Sequence, residues 1–378
     1  MRIINGYKKE MRKLTVCWAV ADGFSEFNSS HYTCVIPHHS IRHAGHTSTI
    51  IHVQDWISNN SRCKTACSSA EVIIIQRVLL NESFKTAEYW MKRGKRVYVS
   101  FDDAYHLIGP ENAAYAFWGS GEVEIRNPAG KFKQKIHPHP VDQFIANIQK
   151  ISGGITPGSV LADDYSKYAK MIHLPNYLET DRYDPWFSNP VKGVKKTIGW
   201  GGSLSHLTSF SGSGVERALH KILAENRDWQ FGLVGDNRLI KQLALPDDQL
   251  WFRHYVMFFD WPRILSSFDI GLAPLAMPYD QRRSRLKVME YIAMGIPFVA
   301  TRSEVYKDFW DCKSGIFIEQ GNPTICDKPN ERAWQVAVQR IIDNYQDYRS
   351  IALREKQRYY EVYDSVANAE TIVEKLRV

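Results

Sequence analysis

The sequence lacks any apolar run long enough to cross a bilayer, because none approaches the roughly 18 consecutive residues that a spanning helix requires. Its basic start, Met1 to Lys13, also lacks the apolar core of a signal peptide. We therefore expect a cytoplasmic protein, with peripheral contact at a membrane surface left open.

Cysteine is scarce, with 6 residues scattered over a chain of 378. This number and scatter exclude a disulfide framework of the kind that small secreted domains use. Cys63 and Cys67 stand four positions apart, which differs from the C-x-x-C pair of redox proteins. We expect reduced thiols.

Histidines crowd the segment that follows the first predicted strand, but their pattern does not complete a metal site. Zinc needs three or four converging ligands. A helix would bring His39, His43 and His46 to one face, yet no acidic or cysteine partner is spaced to complete the set. We expect no metal here. The six histidines are His31, His38, His39, His43, His46 and His52.

Positive charge is in modest excess, since 48 Lys and Arg against 41 Asp and Glu give a net charge of +7. The excess favours an anionic partner, which could be a sugar nucleotide, a membrane surface or a nucleic acid. Basic clusters at Lys8–Lys13, Lys92–Arg96 and Lys131–Lys135 would meet lipid headgroups or DNA phosphates, or remain solvated.

Short β-rich runs alternate with helical stretches in both halves of the chain, which predicts an α/β fold with parallel sheets. Between the last two strands of the first half, Glu82–Arg93 has helical spacing. Beyond Asn330 the chain is predicted to be helical. The predicted strands are Thr15–Val20, Thr49–Val53, Val72–Ile75, Arg96–Phe101, Thr197–Gly201, Gln230–Val234, Asp269–Leu275 and Pro297–Thr301.

The segment Asp184–Lys196 suits a linker, because prolines, a glycine and lysines interrupt it. We therefore predict two Rossmann-like domains, residues 1–190 and 191–378, facing each other across a cleft. Ligands bind in such sheets at the carboxyl ends of the strands. The last helix, Ala367–Leu376, is expected to pack back on the first domain.

The stretch Asp269–Thr301 has the clearest chemical pattern. A helix is predicted from about Arg285 to Met294, stopped by Gly295 and Pro297. We expect its sheet-facing and cleft-facing residues to separate. Those on the sheet are Leu286, Met289 and Ala293, and those on the other side are Lys287, Glu290 and Tyr291.

The amino end of this helix suits a diphosphate, because its N–H groups are unpaired and Arg282 and Arg283 precede it. Glu290, two turns further on, would accept hydrogen bonds from ribose hydroxyls. The alternative is that Lys287 and Glu290 form an exposed pair worth a few tenths of a kcal/mol.

A set of positions in this stretch follows one family's pattern, and the set is Asp269, Ile270, Pro274, Leu275, Arg283, Ser284, Leu286, Lys287, Glu290, Tyr291, Ala293, Gly295, Pro297, Val299 and Ala300. It resembles the donor-binding segment of GT-B glycosyltransferases of the retaining family-four type. The resemblance implies that Glu290 binds the nucleotide ribose and that Arg283, Ser284 and Lys287 lie at the phosphates. One position departs from the family: its second glutamate is Arg282 here, with Asp280 as the nearest substitute.

A second segment, Ile198–Phe210, is similar to the loop that opens the second domain of the same family. The matching residues are Gly199, Trp200, Gly202, Ser203 and His206. The resemblance implies that the donor diphosphate is contacted by Gly201, Gly202, Ser203 and His206. A Gly-Gly-Ser turn taken alone would indicate no more than a turn.

The first half resembles the family's strand, helix and strand that end in Asp-Asp. The resemblance implies that Asp102, Asp103 and His106 lie on the acceptor side, with Asp103 catalytic. Without it, the two aspartates would be loop or helix-capping acids. Three residues of the histidine-rich segment are further candidates that the resemblance implies: Gly45 at the donor, His46 as catalytic and Arg42 on the acceptor side. The alternative is a polar loop in which these residues have no such role.

The resemblance implies an enzyme that moves a hexose from a UDP- or GDP-sugar to a saccharide or lipid-linked glycan with retention of configuration. Arg283 and Lys287 would stabilise the leaving diphosphate, so that no metal or other cofactor is required. Three alternatives remain: a glucosyltransferase of modified bases in phage-type DNA, a non-catalytic nucleic-acid-binding protein, and a sugar-nucleotide epimerase, whose usual carboxylate pair and histidine are not recognisable.

Overall fold

The computed structural model describes residues 12–23, 28–112, 114–127, 130–202, 204–276, 278–319 and 330–377. Within these residues the chain forms two parallel sheets of six strands each and one antiparallel hairpin. The predicted α/β fold with two Rossmann-like sheets is therefore confirmed.

The first sheet is built from apolar strands, which is typical of parallel sheets that helices cover on both faces. Its strands are β1 (Thr15–Val20), β2 (Thr47–His52), β3 (Val72–Gln76), β4 (Arg96–Ser100), β7 (Gly153–Thr156) and β8 (Met171–His173). They lie in the order β2-β1-β3-β4-β7-β8. The chain leaves β1 towards one side and returns to β3 on the other, so a ligand crevice is expected beyond the carboxyl ends of these two strands.

Helices and a hairpin complete the first half. A π-helical turn, His31–Val35, leads into α1. The helices are α1 (Ile36–His43), α2 (Val53–Ser58), α3 (Ser61–Ser69), α4 (Asn81–Met91), α5 (Tyr115–Trp118), α6 (Pro140–Ile148) and α7 (Ser159–Ser166), and the hairpin strands are β5 (Glu122–Asn127) and β6 (Gly130–Lys135). The strand predicted at Thr49–Val53 ends one residue earlier, because the His52 ring accepts a hydrogen bond from the Gln54 N–H and starts α2.

The second sheet repeats this architecture with the strand order β11-β10-β9-β12-β13-β14. Its switch point lies between β9 and β12. The strands are β9 (Lys196–Gly202), β10 (Trp229–Gly235), β11 (Leu250–Arg253), β12 (Ile270–Ala273), β13 (Phe298–Arg302) and β14 (Gly315–Glu319), and the helices between them are α9 (Leu207–Gly212), α10 (Val215–Glu225), α11 (Arg238–Leu243), α12 (Trp261–Leu265) and α13 (Leu286–Ala293).

Between the sheets, the predicted linker contains a short helix, α8 (Asp184–Ser188), and its Phe187 packs on a core that both halves share. The chain ends in four helices: α14 (Glu331–Asp343), α15 (Tyr345–Arg358), α16 (Tyr360–Tyr363) and α17 (Ala369–Arg377). Helix α17 packs against α1 of the first half, and Lys375 Nζ donates to the His173 carbonyl at 2.8 Å. In the described residues, none of the helices has the length and apolar character that crossing a membrane requires.

Candidate active site

Glycines form the carboxyl end of β9, at the switch point of the second sheet. The strand was predicted to stop at Gly201, and in the structure it continues through Gly202. Gly235, at φ +125°, closes on these glycines from β10: a Cβ atom there would lie 2.1 Å from the Gly202 carbonyl oxygen. Backbone groups of the two strands therefore approach closely here, and the Trp261 and Trp200 rings take the places that side chains on Gly201 and Gly202 would occupy.

Arg283 is fixed beneath this glycine end. Its Nε donates to Asp280 Oδ1 at 2.7 Å, and its terminal nitrogens contact His206 Nε2 at 3.2 Å and the Ser205 carbonyl. Ser209 Oγ also donates to Asp280 at 2.7 Å, which holds that carboxylate in place. Burial and the nearby guanidinium keep the pKa of His206 well below its usual range, so its neutral ring accepts the hydrogen bond.

Lys287, in the first turn of α13, points at the same backbone. Its Nζ donates to the Gly201 carbonyl at 2.5 Å. In the described part of the chain it forms no ion pair, and burial lowers its pKa to about 8 in spite of Glu290 nearby. An anion at this position would relieve the cost of burying that ammonium group.

Glu290 is buried, with 4% of its surface exposed, and this excludes the exposed-pair alternative. Its Oε1 accepts hydrogen bonds from Tyr32 at 2.7 Å and Tyr183 at 3.0 Å. Burial raises its pKa, while the hydrogen bonds from Tyr32 and other donors oppose the shift. Tyr32 belongs to the first half, so the predicted ribose-binding carboxylate connects the two halves of the chain.

Helix α13 is enclosed more completely than its spacing predicted. Tyr291 was expected on the face away from the sheet, but it is buried and its hydroxyl donates to the Leu272 carbonyl of β12 at 2.8 Å. The prediction was wrong because the Tyr291 ring packs on the sheet over Gly271 of β12, where the missing side chain leaves room for it. Ser284 is half-buried just before α13, and Ser203 lies outside the described residues.

The carboxyl edge of the first sheet presents Asp102 and Asp103 after β4, as predicted. Arg77 donates to Asp102 Oδ1 at 3.3 Å, and the Tyr279 hydroxyl donates to Asp103 Oδ1 from the second half. Burial, with Asp103 beside it, raises the pKa of Asp102 to about 6. Tyr279 also lies 4.9 Å beneath the Arg283 guanidinium and so joins the two groups of predicted residues.

His106 takes part in a second contact between the two halves of the chain. Its Nε2 is 3.2 Å from Asp164 Oδ2, and Arg282 donates to the same carboxylate at 2.7 and 3.2 Å. Burial lowers the pKa of His106, although Asp164 opposes the shift. The residue that departs from the family pattern thus forms a two-point ion pair with the first half of the chain.

Gly45, His46 and Arg42 do not join these residues. They follow or end α1 and precede β2, and His46 Nδ1 accepts from the Leu14 N–H at the start of β1. Their placement at the cleft is corrected by the geometry: a helix that follows a strand returns the chain to the amino edge of the sheet, opposite to the ligand edge.

The histidine-rich segment has separate local roles. His31 stacks on Phe258 at 3.9 Å, His38 Nδ1 contacts Ser48 Oγ at 2.9 Å, and His39 Nδ1 lies 2.5 Å from Glu179 Oε1. Among the described residues, no group of three or more His, Cys, Asp or Glu could hold a metal ion.

Four residues of the site were missed from the sequence: Asp22, Tyr32, Arg77 and Tyr279. Asp22 was detectable, because it is an acid that follows a buried strand at the ligand edge. Tyr32, Arg77 and Tyr279 had no distinguishing sequence pattern, since their partners are distant in the chain.

Solved structures of other proteins share this fold. Sucrose-phosphate synthase from Thermosynechococcus elongatus superposes with a TM-score of 0.61 at 10% identity, over 97% of this chain and 98% of that one. The values for TarM are 0.53 and 12%, over 81% and 55%, and for the pneumococcal O-GlcNAc transferase GtfA 0.51 and 12%, over 81% and 57%. No curated protein matches the chain in sequence.

The fold is therefore that of the GT-B proteins. Residues 196–344 match the family of Glycosyl transferases group 1, which confirms the resemblance to GT-B glycosyltransferases for the second half of the chain. The family match lies within the second half of the chain, and the shared fold by itself assigns no activity.

Proposed function

We propose that the protein transfers a sugar from a nucleoside diphosphate sugar to a saccharide or lipid-linked glycan, with retention of configuration. The observation that carries the proposal is the pair Arg283 and Lys287 at the glycine end of β9. Lys287 is half-buried, has a depressed pKa and bonds to a carbonyl oxygen. Two cations at one backbone turn suit a diphosphate.

During transfer, negative charge grows on the leaving diphosphate. Arg283 and Lys287 are already oriented, by Asp280 and by the Gly201 carbonyl, so little reorganisation is needed to stabilise that charge. We propose that these cations replace a metal ion and that no cofactor is required. The Arg283 side chain reaches Tyr279 and, through it, Asp103 on the acceptor side.

Glu290 is proposed to bind the ribose hydroxyls. In this structure the Tyr32 hydroxyl bonds to Glu290 Oε1, so a ribose hydroxyl that binds this oxygen takes the place of the Tyr32 hydroxyl. Nucleotide entry would therefore accompany a separation of Tyr32 from α13. The structure of GtfA was determined with UDP and GlcNAc, which supports UDP-sugars as the first donors to test, beside GDP-sugars.

A cytoplasmic location, with peripheral membrane contact where the acceptor is lipid-linked, forms part of the proposal. Its support is the basic net charge of +7.

The test is a thermal-shift screen against nucleoside diphosphates and their sugars, with and without EDTA. A ligand at 100 times its dissociation constant adds about 2.7 kcal/mol of stability. We expect one nucleotide class to stabilise the protein, unaffected by EDTA, and Glu290→Gln to abolish the shift.

The matched control is Glu355→Gln. Glu355 is also buried but lies in α15, away from the site, so this variant should leave the shift intact. Absence of a shift with every nucleotide would overturn the proposed function. A shift that EDTA abolishes would overturn its metal-independent form.

A further inference from the structure

Three carboxylates gather at the switch point of the first sheet. Asp22 follows β1, and Asp102 and Asp103 follow β4. Arg77, after β3, is placed between them: its terminal nitrogens lie 3.4 Å from Asp22 Oδ1 and 3.3 Å from Asp102 Oδ1. Gln76 Nε2 also donates to Asp22 at 2.7 Å. One cation thus faces three carboxylates, and the group is acidic.

The backbone of Arg77 indicates that this arrangement is imposed. Its φ is +47°, in the left-handed region that residues other than glycine rarely adopt. Such conformations cost about 1–3 kcal/mol in general and concentrate at binding sites. The strain places the guanidinium between Asp22 and Asp102.

A buried hydroxyl without a partner points to a ligand. Tyr105, 3% exposed and stacked on Trp118 at 3.7 Å, has a hydroxyl that bonds to no other group in the described residues. Its charged neighbours are Arg77, Asp102 and Asp103. A buried hydroxyl that remains unsatisfied is costly, whereas a ligand oxygen at this edge would accept its hydrogen bond.

We propose that this acidic edge, made of Asp22, Arg77, Asp102, Asp103 and Tyr105, binds the acceptor, and that the acceptor group bound there is an uncharged saccharide. The inference rests on the proposed function and specifies its second substrate. Tyr279 joins the edge to the donor side, because it donates to Asp103 and lies beneath Arg283.

The chemistry of the edge selects against anions. Sugar hydroxyls can donate to Asp22, Asp102 and Asp103 and accept from Tyr105, so every polar group finds a complementary partner. A phosphate or carboxylate on the acceptor would instead face three carboxylates at low dielectric and be repelled.

The experiment measures release of nucleoside diphosphate from the sugar nucleotide that gives the largest thermal shift. Acceptors are the methyl glycosides of glucose, galactose and mannose, each beside its 6-phosphate. We expect at least one neutral glycoside to stimulate release, with a KM at least about tenfold below that of its phosphate. Asp22→Asn should reduce this preference, and Asp163→Asn, at an exposed acid on α7, should leave it unchanged.

Tyr105→Phe separates binding from structure. Removing only the hydroxyl should raise the acceptor KM about three- to tenfold, with kcat and nucleotide shift unchanged and the melting temperature no lower, because the unsatisfied hydroxyl is gone. Tyr363→Phe is the matched control, since its hydroxyl bonds to the Lys356 carbonyl away from the edge, and it should leave KM unchanged.

Equal or better use of a phosphorylated acceptor, or an unchanged KM in Tyr105→Phe, would overturn this inference. So would a protein that binds the nucleotide but is stimulated by none of the neutral glycosides, and the donor site would then stand. Absence of nucleotide binding would overturn the proposed function itself.

Discussion

At the ligand edge of the second sheet, Arg283 and Lys287 direct positive charge at the glycine end of β9, whereas at the same edge of the first sheet three carboxylates surround one arginine. Both edges occupy the equivalent topological position, the switch point of a parallel sheet. Each sheet thus offers a ligand site at the same topological position. The residues that follow the strands determine whether that site favours an anionic or a neutral ligand.

Removing a cation from the ligand edge of the second sheet should have the largest effect of the variants considered, and the effect should be on turnover. Lys287→Met keeps the length of the side chain but removes its charge, and we expect turnover to fall about 10²–10³-fold, as when one preorganised donor to a developing anion is lost. Release of nucleoside diphosphate at saturating donor measures the effect. Lys221→Ala, at an exposed lysine on α10, is the control. Turnover within about twofold of wild type in Lys287→Met would contradict the assignment, because the expected loss is two to three powers of ten.

The charge at the second edge should also depend on pH. Because the pKa of Lys287 is lowered to about 8, its ammonium group is present below that pH and lost above it. Affinity for a nucleoside diphosphate sugar should therefore fall as pH rises from 8 to 9.5, by at most about tenfold per pH unit. Titration calorimetry across this range measures the slope.

Lys287→Arg should flatten that slope, since arginine stays charged throughout. Two neighbours of Lys287 also titrate: burial moves the pKa of His206 far down, away from this range, whereas it raises the pKa of Glu290 towards it. The comparison with Lys287→Arg is therefore needed to separate the lysine from the glutamate. An equal slope in Lys287→Arg would assign the pH dependence to another group.

The contact between the two halves at Glu290 depends on a single hydroxyl group, that of Tyr32. Tyr32→Phe removes the hydroxyl that bonds to Glu290, so nucleotide should bind about three- to tenfold more tightly because it no longer competes with that bond. Calorimetric dissociation constants test this, with Tyr291→Phe as the control on the same helix. Weaker binding in Tyr32→Phe would mean that the hydroxyl orients Glu290 for the ribose.

The ion pair that joins the two halves of the chain is expected to affect stability rather than turnover or binding. Arg282→Ala and Asp164→Ala each break a partly exposed two-point contact, and each should cost about 1–2 kcal/mol of unfolding free energy. Their double variant should cost less than the sum, by about 1 kcal/mol. Urea unfolding measures the coupling, and strictly additive losses would show that the pair does not hold the halves together.

Much of the fold followed from the sequence, because buried parallel strands are continuous apolar runs, as in Val72–Ile75. The donor-side residues Arg283, Lys287 and Glu290 followed as well, since they lie in one segment around a single helix end. Their roles in catalysis and binding remain predictions. The predicted placement of His46 and Gly45 at the cleft is wrong, because α1 returns the chain to the amino edge of the sheet, where His46 contacts Leu14.

What the sequence could not predict are contacts between distant segments. The Tyr32–Glu290 and Tyr279–Asp103 bonds join residues more than a hundred positions apart, and no local pattern distinguishes either tyrosine from a core residue. Arg282 was recognised as a departure from the family, but only the position of Asp164 on α7 gives it a partner.

The chain passes between its halves at Leu178 and again after Tyr363, and these two passages lie side by side. The Leu178 N–H donates to the Tyr363 carbonyl, the Ser365 N–H donates to the Leu178 carbonyl, both at 2.8 Å, and Thr180 Oγ1 donates to Asp364 at 2.7 Å. Two hydrogen-bonded crossover segments of this kind form a double-stranded hinge, about which we expect the two halves to rotate. Rotation about this hinge would part Tyr32 from Glu290, Tyr279 from Asp103 and Arg282 from Asp164 in one movement, so that the donor and acceptor sides become accessible together.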